Sequence, residues 1–81
     1  MKQAILLAEA DAEMMDAARF YQRQAAGLGE RFLEAVYDAI AEVRRHPKRW
    51  PKLRGNVRRR LVGRFPFGIL YIEDPTEIVV V

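Results

Sequence analysis

The sequence has no cysteine and no serine, one histidine (His46) and one threonine (Thr76). Without cysteine there are no disulfides, thiolate metal sites or thiol nucleophiles. Without serine there is no serine-hydrolase triad. A zinc site built on His46 alone would need carboxylates for its remaining ligands. No apolar run approaches the ~20 residues that span a bilayer. The opening Met1-Lys2-Gln3-Ala4-Ile5-Leu6-Leu7-Ala8-Glu9 is charged again at Glu9, too soon for a signal sequence, so a soluble, cytoplasmic protein is expected. Acid is missing from one long stretch. Residues 44–64 carry ten basic groups and no acidic one, whereas residues 1–43 carry eight acids against four bases, and residues 65–81 carry only Glu73, Asp74 and Glu77.

What is present supports one folded domain over residues 1–81: 51% apolar and 31% charged residues, with five Gly and four Pro. Ala4-Ile5-Leu6-Leu7 is a short apolar run compatible with strand or helix. Beyond it, Ala10, Met14, Ala18, Tyr21 and Ala25 recur at helical spacing, with Glu9, Asp11, Glu13 and Asp16 early, at the positive end of the helix dipole. Gly27 and Gly29 mark a turn. Phe32, Val36, Ile40 and Val43 form the stripe of a second helix, which ends in Arg44, Arg45 and His46 before Pro47. Helices are expected at about residues 9–26 and 29–46. Pro47–Asn56 reads as a loop whose one large apolar group is Trp50.

After Asn56 the period changes to two. Val57, Leu61 and Phe65 fall on one face with Arg59; Arg58, Arg60, Arg64 and Val62 fall on the other. Strands are expected at 57–63, 67–73 and 77–81, with Glu73-Asp74-Pro75-Thr76 as a turn. The order is β-α-α-β-β-β, an α+β fold with a helical hairpin packed on a small antiparallel sheet.

The basic stretch calls for a polyanionic or acidic partner. Arg58, Arg60 and Arg64, at about 7 Å per two residues, are expected to form an anion-binding strip. Replacing all three with Gln should then weaken binding and barely change stability. Lys52 and Arg54 extend the candidate surface. Trp50, flanked by Lys48, Arg49 and Lys52, is either a recognition aromatic or a lid on the core edge. Arg59, aimed at the apolar face, is expected to pair with Glu34 or Asp38. Metal-free RNA cleavage would need a base beside the arginines. Tyr71, in a strand apolar on both faces, reads as a core tyrosine, and His46 as a cap on the helix dipole rather than a catalytic group. No catalytic residue, metal or cofactor is assigned.

Several segments together resemble the RelE/ParE toxins of bacterial type II toxin–antitoxin (plasmid stabilisation) systems. They are Phe20-Tyr21, Gly27-Leu28-Gly29-Glu30-Arg31-Phe32-Leu33, Pro47 with Trp50-Pro51, Arg59-Arg60-Leu61-Val62, Arg64-Phe65-Pro66-Phe67-Gly68-Ile69-Leu70-Tyr71 and Ile78-Val79-Val80-Val81. The resemblance implies the same βααβββ order and a cognate antitoxin whose acidic segment masks the basic face. Family members usually continue past the last strand with a segment carrying a His and an Arg, which is expected to be lacking after Val81. For the ParE-like branch, the resemblance implies a non-enzymatic inhibitor of DNA gyrase. The alternatives are a RelE-like, ribosome-dependent mRNA endonuclease, and an inactive member that only binds its antitoxin.

Overall fold

The ambiguous N-terminal run is a strand, β1 (Gln3–Leu6), with Gln3 and Ile5 on one face and Ala4 and Leu6 against the core. A computed structural model describes all residues 1–81 and places helix α1 at Ala8–Gln24 and α2 at Leu28–Arg45. Gly27 makes the turn between them possible, at φ +82°, a left-handed conformation that glycine adopts without steric cost. Gly29 is required for a second reason. A Cβ there would lie 2.5 Å from the Ala18 carbonyl oxygen, so its absence lets the two helices approach. No side chain caps α2 at Gly27; instead the Gln22 Oε1 accepts the Gly29 N–H at 3.1 Å. The helical hairpin follows the expected ranges to within two residues.

Four strands follow: β2 (Lys52–Arg54), β3 (Val57–Leu61), β4 (Gly68–Glu73) and β5 (Glu77–Val80). They join β1 in one five-stranded sheet of order β1-β5-β4-β3-β2. The α+β architecture is as expected, with two differences. The sheet is mixed, because β1 pairs parallel with β5, while the other neighbours run antiparallel. The excursion through both helices and the meander is what permits a parallel pairing, which a tight hairpin cannot make. The second difference is β2, which forms inside the expected loop with a register irregularity between Lys52 and Arg54. β3 also stops early. Val62 N–H turns back to the Phe67 carbonyl at 2.9 Å, and Pro66, lacking an N–H, cannot extend the ladder.

The core lies between the hairpin and one face of the sheet. Met14 of α1, Phe32, Val36 and Val43 of α2, Ile69 and Tyr71 of β4, and Ile78 and Val80 of β5 are buried there, with Val62. Phe65 and Phe67 close one end by stacking edge-on against Phe32, with centroids 5.2 and 5.0 Å away; Tyr21 joins them at 4.9 Å from Phe65. The two phenylalanines flanking Pro66 are therefore packing residues. No helix is long and apolar enough to cross a membrane.

Candidate binding surface

The pairing of β3 with β4 decides which way its arginines point. Arg58 lies opposite Tyr71 and Arg60 opposite Ile69. Both partners are buried under the helices, and side chains at paired positions share a face. Arg58, Arg60 and Val62 therefore face the hairpin. Arg59, Leu61 and Val57 face away from it, and Leu61 is 57% exposed. The assumed sidedness is reversed: the face carrying Val57 and Leu61 is the uncovered one.

Arg58 and Arg60 are largely consumed within the molecule. Arg58 Nη1 donates to the Trp50 carbonyl at 2.7 Å and to that of Lys48 at 3.3 Å. Arg60 Nη2 pairs with Glu42 of α2 at 2.8 Å, and its guanidinium lies 5.1 Å from the Trp50 ring centroid. The Arg49 guanidinium lies 5.6 Å from the same ring. Trp50 is half-buried and packs on the core, as a lid on the core edge would. Tyr71 is fully buried, with its hydroxyl donating to the Pro47 carbonyl at 2.8 Å. Burial raises its pKa. It is the expected core tyrosine. Together Arg58, Arg60 and Tyr71 fasten the Pro47–Pro51 loop to the sheet.

Arg64 leaves the strip altogether. It sits in the turn after β3, in a groove beside Arg31, Glu34 and Asp38 of α2, without an ion pair. The three-arginine strip of Arg58, Arg60 and Arg64 is thus not formed. The expected pairing of Arg59 with Glu34 or Asp38 is absent too; Arg60 holds the helix carboxylate, on Glu42.

The free cations at this end of the sheet are Lys52, Arg54 and Arg59. All three are exposed and none has a side-chain hydrogen bond or ion pair. Lys52 and Arg54 lie on the edge strand, opposite Arg58 and Val57. Arg59 stands on the uncovered face, where its stem runs past Gly68; a Cβ on that glycine would touch Arg59 Cγ and Cδ at 3.4 Å. Around Arg59 that face is apolar: Leu61, Leu70, Ile72, Val79 and Ile5. Sequence reading found Lys52 and Arg54 and discounted Arg59. The cross-strand glycine was the available signal, because a long side chain needs a gap to lie over a sheet.

Chemically the arrangement is a cationic edge running onto an apolar sheet face, suited to a segment that is acidic and apolar in turn. No group of three His, Asp or Glu side chains is placed to hold a metal ion. His46 is the exposed C-cap residue of α2, with its backbone N–H on the Glu42 carbonyl. Compared with known proteins, the chain matches no family model and no curated sequence.

Proposed function

We propose that this chain is a ParE-like toxin, a non-enzymatic protein that inhibits DNA gyrase and is neutralised by the acidic segment of a cognate antitoxin. The observation that carries the binding reading is the set of unpaired cations at this end of the sheet, Lys52 and Arg54 on the edge strand and Arg59 on the uncovered face. Gyrase as the target comes from the resemblance of the quoted segments to the RelE/ParE toxins. The binding reading is favoured over RNA cleavage because none of the free cations Lys52, Arg54 and Arg59 is bonded to a group able to move a proton, and two such groups are engaged within the molecule. Tyr71 is buried and bonded to Pro47, and Glu42 is bonded to Arg60.

The test is a supercoiling assay with purified gyrase, run beside ribosomes translating a defined message. Inhibited supercoiling with intact message is expected. Replacing Lys52, Arg54 and Arg59 together with Gln should raise the inhibitory concentration about tenfold or more, with the salt dependence flattened. Codon-positioned cleavage that survives repurification would establish the endonuclease instead. Neither activity, with antitoxin binding retained, would identify an inactive member.

A further inference from the structure

The sheet has two edges, and they are protected unequally. β2 is short, follows Pro51, is irregular in register and carries the unpaired Lys52 and Arg54, all features that discourage a second strand. β1, Gln-Ala-Ile-Leu, has no charge, proline or irregularity. Of its neighbouring cations, Lys2 is paired with a carboxylate, and Arg44 is held on a backbone carbonyl without one. Lys2 pairs with Glu73 at 2.8 Å and donates to the Asp74 carbonyl at 2.8 Å, while Arg44 Nε donates to the carbonyl of Lys2, the residue before β1.

The free backbone groups of β1 can be identified. Leu7 N–H donates to the Val80 carbonyl at 3.0 Å, so the backbone groups of Gln3, Ile5 and Leu7 point to β5. Strand alternation turns those of Lys2, Ala4 and Leu6 outward. Arg44 Nε takes the Lys2 carbonyl at 2.9 Å, which closes that end and leaves Ala4 and Leu6 open. On the helix side of this edge runs a groove formed with Tyr37, Ile40 and Ala41, where Tyr37 is 53% exposed. On the other side Ile5 is 43% exposed.

We propose that β1 is a self-association edge, pairing antiparallel with β1 of a second copy about a two-fold axis through Ile5. Ala4 of each copy then exchanges both backbone bonds with Leu6 of the other, and the two Ile5 side chains meet at a non-hydrogen-bonded pair, where side chains come closest. The arrangement is isologous and closes on itself. A second copy fits better than a charged partner because the strand itself carries no charge, whereas two β2 edges would oppose unpaired cations. So short an edge buries little, below about 1,200 Å² in total, so dimerisation is expected in the range of tens of micromolar and above.

Sedimentation velocity on the whole chain from about 5 µM to about 1 mM tests this, because it brackets that weak range. A reversible monomer–dimer equilibrium is expected. Ile5→Lys and Ile5→Glu should each weaken it about tenfold or more, and mixing the two variants should restore it, since opposite charges then face each other. Ala4→Pro, which removes an outward N–H from an edge strand, should abolish it, with the helical circular dichroism of each variant as the folding control. Amide exchange on the unaltered protein needs no variant. The Ala4 and Leu6 amides should gain protection with concentration, while that of Ile5 is protected throughout. A chain that stays monomeric to about 1 mM overturns the proposal and leaves the edge to a foreign strand. A dimer untouched by all three substitutions, or with no protection at Ala4 and Leu6, places the contact elsewhere and overturns it too.

Discussion

Arg59 and Arg60 are neighbours on β3 with opposite roles. Arg60 lies under the hairpin, bonded to Glu42 and packed on Trp50; Arg59 lies on the uncovered face with only a stem contact across Gly68. One helps hold the Pro47–Pro51 loop in place, and the other is free for a partner. The whole sheet divides the same way. Ile69 and Tyr71 of β4 are sealed beneath the helices, while Gly68, Leu70 and Ile72 line an apolar face that no helix covers. A density of positive charge is therefore no measure of a binding surface. What matters is which face each guanidinium enters and whether an acceptor awaits it there.

The largest contrast is expected in the adjacent pair Ile69 and Leu70. Ile69 is 3% exposed and packed in the core, so Ile69→Ala should cost about 2–5 kcal/mol in denaturant unfolding. Leu70→Ala removes a half-buried side chain from the uncovered face and should cost about half as much or less. Equal losses would mean that something covers both faces in solution, and the sheet would have no uncovered side.

A smaller contrast separates Arg58 from Arg59. Arg58→Gln gives up charge-assisted bonds to the Trp50 and Lys48 carbonyls and should destabilise by about 1–2 kcal/mol. Arg59→Gln should fall within about 0.5 kcal/mol of the parent, as exposed unpaired charges do. In the binding assays the order should reverse, with Arg59→Gln the more damaging. A stable Arg58→Gln with lost binding would instead return Arg58 to the anion-binding surface.

These contrasts also show what the sequence could reveal. The helical stripes and glycine turn defined the hairpin because a period of 3.6 is unambiguous over seventeen or eighteen residues. Period two gave β3 its alternation but not its sidedness. Val57 and Leu61 read as the inward set on hydrophobicity, while the true inward set, Arg58, Arg60 and Val62, holds two charges whose acceptors lie far along the chain. Glu42 is eighteen residues before Arg60, and the Trp50 carbonyl is backbone, invisible to any residue pattern. Arg64 was placed on a strand that Pro66 and the Val62–Phe67 turn cut short. The parallel pairing of β1 was equally hidden, since strand order is settled by how the whole chain folds back.

The smallest expected effect is a pH dependence that belongs to one face only. The bond from Arg60 holds the Glu42 carboxyl below its ordinary range, against the opposing effect of partial burial. Unfolding releases Glu42 to its ordinary pKa, so between the two values the unfolded chain binds more protons than the folded one. Stability from the pair is therefore fully present above the usual carboxylate pKa of about 4.3, and it is lost as pH falls through the lowered folded value. Lys2 and Lys48 lower Glu73, and the Thr76 and Glu77 amides lower Asp74, adding to the same acid limb. Glu42→Gln should flatten part of that limb in unfolding measured from pH 7 downward. Arg60→Gln should remove the same part, and combining the two should remove no more, because both substitutions delete one interaction. Arg59→Gln should leave the slope as it is. If Arg59→Gln flattened the acid limb as much as Arg60→Gln, the two neighbours would share one electrostatic environment, and the division of the sheet into a fastened face and a free one would not hold.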